Sequence, residues 1–107
     1  MLKERYSYET IQKIRRFIFL PDFIQKYTKL DRYNKGLCPF HPDSKPSLSV
    51  NGWKGLWYCF ACCKGGDVFT FIMLIEKIPF PKAVRLAALE AGIKLPELGT
   101  VKVENGK

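Results

Sequence analysis

Cys38 and His41 are separated by two residues in Cys38-Pro39-Phe40-His41, and Cys59 and Cys62 share that spacing in Cys59-Phe60-Ala61-Cys62. Seventeen residues lie between the two pairs, and His41 is the only histidine of the chain. Two intervening residues let both side chains of one tight turn point at a common ion about 2.0 to 2.3 Å away, the requirement of a four-coordinate structural zinc site. The rival readings are buried thiols beside a surface histidine, or a disulfide framework. Met1-Leu2-Lys3-Glu4-Arg5 leads into no apolar export segment, which favours metal over disulfides.

Four cysteines are available for three thiolate places, and Cys59, Cys62 and Cys63 compete for two of them. The two-residue gap favours Cys62, leaving Cys63 free or a second-best ligand. Three thiolates and a neutral imidazole carry a formal charge of −1, which Lys64 and Lys45 are placed to offset. One zinc ion with all four places taken by protein leaves no water to activate, so the expected role is architectural. A zinc hydrolase needs an open coordination position and a general base, and a thiol enzyme needs an activated cysteine with a partner. The sequence displays neither.

The elements that must position these ligands read as helices on both sides of a small sheet. Ile11, Ile14 and Ile18 fall at helical spacing within 8–19, with Lys13, Arg15 and Arg16 elsewhere on the wheel. Pro21 stops that helix and starts a short one over 22–27. Ser47-Leu48-Ser49-Val50 alternates as a half-buried strand, Asn51-Gly52 opens a turn, and Leu56-Trp57-Tyr58-Cys59-Phe60 returns. The hairpin brings Cys59 back beside Cys38 and His41. Asp67 is placed to cap a nearly all-apolar helix to about Lys77, a core helix whose exposed remainder could dock a partner. Pro79 and Pro81 start the last helix, whose alanine-rich face ends at Gly92. The fold class is therefore α+β: a small zinc ribbon with an antiparallel sheet, flanked by helices at both ends. Its expected organisation is one domain over 1–97, with helices over 8–27, the ribbon over 33–65 and helices over 67–91, followed by a tail or linker over 98–107.

Composition bounds the partners. Eighteen basic residues against ten acidic give +8, of which +5 falls in 1–36 and +2 in 37–66. A surface this basic suits a polyanion. No apolar run reaches the roughly 18 residues of a membrane span, so no membrane partner is expected. Single strands are held by cations tracking phosphates and by aromatic faces on which bases stack. Arg32, Lys35, Lys45, Lys54 and Lys64 flank the ligand pairs, with Tyr33, Trp53, Trp57 and Tyr58 interleaved. Of these, Arg32, Lys35, Lys45, Lys54, Trp57, Tyr58 and Lys64 are the candidate nucleic-acid contacts. Strand alternation puts Trp57 on one face with Cys59, and Leu56 with Tyr58 on the other, without saying which is exposed.

The order Gly36-Leu37-Cys38-Pro39-Phe40-His41, Lys45-Pro46-Ser47-Leu48-Ser49-Val50, Trp57-Tyr58-Cys59-Phe60 and Gly66-Asp67 resembles the zinc-binding domain of bacterial DNA primases. The resemblance extends over roughly 8–96. It departs at Ala61 and Cys63, where that family commonly has glycine, and glycine there permits a left-handed backbone. The resemblance implies a zinc ribbon that engages single-stranded template and helps select the start site for RNA primers during replication. Synthesis itself would lie in a separate polymerase domain of the nucleotidyltransferase, whose Mg²⁺ needs clustered carboxylates. Acidic residues are scattered here, so this segment is expected to be non-catalytic on its own. A polymerase domain and a replicative helicase are the implied protein partners, and the cytoplasm, at the nucleoid, the implied location. The alternative is a stand-alone zinc ribbon serving protein interaction or regulation.

Overall fold

The computed structural model describes residues 6–42 and 45–94. In chain order the elements are α1 (Tyr8–Phe17), α2 (Leu20–Ile24), β1 (Lys35–Gly36), β2 (Leu48–Asn51), β3 (Leu56–Cys59), β4 (Lys64–Gly66), α3 (Val68–Glu76) and α4 (Phe80–Ala91). The four strands form one antiparallel sheet in the order β1-β2-β3-β4. This is the expected α+β ribbon with helices at both ends. The tail expected over 98–107 lies outside the described residues.

Each helix begins and ends for a local reason. The Ser7 hydroxyl accepts from the Thr10 N–H at 3.1 Å, and Arg15 and Arg16 occupy the last turn of α1, where the helix dipole favours cations. α2 starts two residues before the expected Asp22, because Pro21 fits within the first turn, where no N–H is needed. Asp67 caps α3 as expected, accepting from the Thr70 N–H at 3.0 Å. Lys77 ends α3 in the left-handed region, and Gly92 ends α4 the same way.

The sheet has an inner and an outer face. Leu48 and Val50 of β2 and Trp57 and Cys59 of β3 are buried, while Leu56 and Tyr58 are exposed. The β2–β3 register pairs Leu48 with Cys59 and Val50 with Trp57, so the inner positions lie side by side. The turn between these strands runs over 52–55 and needs its second glycine, Gly55, at φ +66°. β1 and β4 are two and three residues long, and the sequence pattern alone does not announce them as strands.

Phe71 of α3 is the hub of the core, with ring centroids 5.6 Å from Trp57, 5.1 Å from Phe40 and 6.1 Å from Phe23. Around it pack Ile14, Leu20 and Ile24 from the first two helices and Phe69 and Ile72 from α3. Ala83, Ala87 and Ala88 are fully buried, so α4 approaches α3 closely on its small-residue face. Among the described residues no helix is long and apolar enough to cross a membrane.

Candidate metal centre

The first ligand pair sits in the turn after β1, and the second spans the end of β3 and the turn that leads into β4. Because β3 pairs antiparallel with β2, Cys59 returns to the end of the sheet at which β2 begins. Phe40, inside the first pair, packs at a tilt against Trp57 at 5.2 Å and edge to face against Phe71, which ties that turn to the core. The ligand atoms of Cys38, His41, Cys59 and Cys62 all lie within 4.8 Å of one another. Cys38 and Cys59 are buried, and His41 and Cys62 are half-buried. No other such cluster of metal-ligating side chains occurs among the described residues.

Zinc fits this donor set. The Sγ atoms of Cys38 and Cys62 are 3.7 Å apart. That is the edge of a tetrahedron built on Zn–S bonds of about 2.3 Å, close to 3.8 Å, and far beyond a disulfide bond of about 2.0 Å. All four cysteines are free thiols. The turns also aim main-chain donors at sulfur: the Phe40 N–H donates to Cys38 Sγ and the Cys62 N–H to Cys59 Sγ, each at 3.4 Å. Such bonds stabilise thiolate and spread its charge into the backbone.

Protonation follows the same geometry. Burial pushes the Cys38 thiol up to about 12, a shift that the Phe40 N–H opposes. Burial acts in the same direction on Cys59, but hydrogen bonds from Cys62, Cys38 and the Ala61 N–H outweigh it and lower its pKa. Cys62 is raised, chiefly by burial, and the positive charge of Lys64 pulls the other way.

Cys63 is exposed and stands outside the cluster. Its φ of +56° lies in the left-handed region, whereas Ala61 is absent from the positive-φ positions. Of the two departures from glycine, only that at Cys63 carries a backbone cost. Its thiol lies outward beside Tyr58 and raises the Tyr58 pKa.

The basic and aromatic candidates separate in space. Lys35, Ser49, Tyr58 and Gly65 form one row across the outer face of the sheet, through the pairs Lys35 with Ser49, Ser49 with Tyr58 and Tyr58 with Gly65. Lys64 pairs with Cys59 at the metal end of the edge strand, and Lys45 is exposed in the loop before β2. Arg32 lies over the exposed Tyr33 ring, 5.7 Å from its centroid, in the turn before β1. Lys54 does not join them: it sits in the 52–55 turn, at the opposite end of the sheet from Cys59. Trp57 is corrected as a stacking candidate. It is 2% exposed and packed between Phe40 and Phe71, so it offers no face to a base. An aromatic outside the sequence-based candidates takes its place: Phe60 is 70% exposed and meets Tyr58 edge to face at 4.9 Å. The alternation that groups Leu56 with Tyr58 extends to Phe60 and could have found it.

The CHC2 zinc finger family model matches residues 6–103. The DNA primase of Geobacillus stearothermophilus is 45% identical over 94 residues, covering 85% of this chain and 16% of that protein. The DNA primase of Halalkalibacterium halodurans is 38% identical over 109 residues, covering 99% of this chain and 18% of that protein. The chain thus spans less than a fifth of the length of these relatives. Among solved structures, the zinc-binding and RNA polymerase domains of the Aquifex aeolicus primase superpose with a TM-score of 0.74 at 36% identity. That match covers 82% of this chain and 23% of the other. With its Cys-His-Cys-Cys cluster on an α+β ribbon, the chain belongs to the CHC2 zinc finger family, the zinc-binding domain of DNA primases.

Proposed function

We propose that this domain holds single-stranded DNA template for a primase and takes part in choosing where an RNA primer starts. In this reading one zinc ion is held by Cys38, His41, Cys59 and Cys62, and it cross-links the two turns without taking part in chemistry. The chain's own residues do the binding. The observation that carries the proposal is the outer row of the sheet, where exposed Lys35 and Tyr58 share a face and Phe60 extends the aromatic surface toward the metal end. Lys35 attracts phosphate at one end of the row, and the aromatic faces of Tyr58 and Phe60 stack bases with little regard to sequence. Lys45 and Lys64 add charge near the metal end and Arg32 near β1. Synthesis belongs to a polymerase domain acting on the strand this module presents, with a replicative helicase as the further partner, in the cytoplasm at the nucleoid.

The protein-docking alternative gains nothing from α3. Val68, Phe69, Phe71 and Ile72 are buried, and none of the exposed large hydrophobic residues comes from that helix.

Anisotropy of labelled single-stranded and duplex DNA of equal length, titrated with zinc-loaded protein at low and high salt, tests the proposal. Single strands should bind more tightly, and Tyr58→Ala and Lys35→Gln should each weaken them several-fold, with stacking on one aromatic contributing about 1 to 3 kcal/mol. Varying the trinucleotides in the strand then asks whether the module reads sequence. Equal binding of strand and duplex, unmoved by either substitution, would leave only general basicity and sink the reading.

A further inference from the structure

The end of the sheet away from the metal carries a second cationic feature, separate from the outer row. The turn over 52–55 folds down onto α1 and the segment after it, enclosing a cleft of about 340 Å³. Gln12, Arg15 and Arg16 of α1 and Phe19 after it line the cleft from the helix side, and Trp53 and Lys54 line it from the turn. Three lining residues are cationic and none is acidic.

Two glycines bring the walls together. A Cβ on Gly52 would meet the Phe19 ring at 2.8 Å, and Gly55 holds φ +66° with its missing Cβ only 3.6 Å from an Arg15 guanidinium nitrogen. Arg15 Nη2 donates to the Lys54 carbonyl at 3.1 Å, fixing the guanidinium against the turn. The anchored arginine keeps its remaining donors for another group. Trp53 beside it is wholly exposed. A large aromatic left in water at a turn gains nothing from core packing, whereas beside three cations it provides the flat apolar surface on which a base stacks.

We propose that this cleft binds one nucleotide unit, its phosphate on Arg15, Arg16 and Lys54 and its base against Trp53. The same chemistry is presented by one residue of a single strand and by a free nucleoside triphosphate. The strand source rests on the function proposed above and would extend the bound path from the outer row to the end of the hairpin. The free-nucleotide source does not depend on it.

The test uses zinc-loaded full chain and three probes: oligothymidylate of roughly twelve nucleotides, ATP, and inorganic tripolyphosphate. The principal variant is Arg16→Gln with Lys54→Gln, which leaves the Arg15 bond to the turn in place; Trp53→Ala is made separately, and zinc content and circular dichroism check each fold. If the strand is the source, the double variant weakens oligothymidylate about tenfold and lowers the salt slope by roughly 0.7 for each phosphate no longer neutralised, with ATP unaffected or unbound. If a free nucleotide is the source, the double variant weakens both ATP and tripolyphosphate, and Trp53→Ala weakens ATP alone. Folded variants that leave all three affinities unchanged overturn the cleft. Loss of strand binding in Tyr58→Ala but not in the cleft variants removes the strand source while the outer row stands. A wild-type chain that ignores single strands removes the proposed function, and the ATP and tripolyphosphate arms then decide the cleft by themselves.

Discussion

The indole N–H of Trp57 donates to the main-chain carbonyl of Asp67 at 2.9 Å, so a strand of the metal ribbon is bonded to the residue that caps α3. Gly66, the residue before Asp67, pairs with Trp57 across β3 and β4, and a Cβ there would come within 2.7 Å of the Thr70 side chain. Ribbon and helix therefore meet through one indole, one carboxylate cap and one glycine.

Trp57→Phe keeps most of the ring packing and removes the indole bond to the Asp67 carbonyl, which still accepts from the Phe71 N–H at 3.0 Å. We expect a loss of about 0.5 to 1.5 kcal/mol from the bond itself in urea unfolding of the zinc-loaded protein, with single-strand affinity unchanged because this ring faces inward. A selective loss of strand binding at unchanged stability would instead return Trp57 to the contact surface. Asp67→Ala removes the cap, with an expected cost of about 1 kcal/mol in the same assay.

Zinc removal should unfold the ribbon before the helices. The small inner face of the sheet is held by two ligand-bearing turns, and structural zinc in small domains contributes directly to folding. A chelator is expected to abolish amide protection at Cys59 and Trp57 first and to reduce helical circular dichroism less. Cys62→Ser should lose bound zinc under mild competition.

Cys63→Gly is expected to retain one zinc per chain and to gain up to about 1 kcal/mol, since glycine relieves the left-handed strain at a modest entropic cost. Metal analysis and urea unfolding check both halves. Loss of zinc in this variant would make Cys63 a ligand and displace Cys62 from the set.

Zinc affinity should rise with pH. The ligands bind as thiolates, and without metal burial holds Cys38 protonated, pushed up to about 12, and raises Cys62 as well. Their protons must leave on binding, so a higher pH favours the loaded form. Cys59, already lowered, releases less of a proton. Competition with a chromogenic chelator across the neutral range should give a log-affinity slope of about two to three per pH unit. A flat profile would mean that the thiols are already ionised before metal arrives.

Much of this architecture is legible because its signals are local. Ligand spacing marks the two turns, Asp67 and Gly92 bound the last two helices, and alternation in β3 separates Trp57 and Cys59 from Leu56 and Tyr58. What escapes depends on distant partners. β1 and β4 are too short to carry a pattern and become strands only by pairing with β2 and β3. Alternation groups Trp57 with Cys59 but does not say which face Phe71 will cover. Lys54 lies near the ligand pairs along the chain, yet the antiparallel hairpin carries it to the far end. There it meets Arg15, 39 residues earlier, a meeting that no local pattern announces.

The alternation along β3 also divides tolerance to change. Replacing an inward residue disturbs ring packing and ligand position together, because Trp57 and Cys59 are separated by a single residue whose own side chain points away. Replacing Leu56 or Tyr58 leaves the buried rings and the ligands in place, Tyr58 giving up only its edge contact with Phe60. The outer surface can therefore be rewritten for a different ligand at little thermodynamic risk, which makes this ribbon a scaffold whose recognition face can be engineered apart from its metal core.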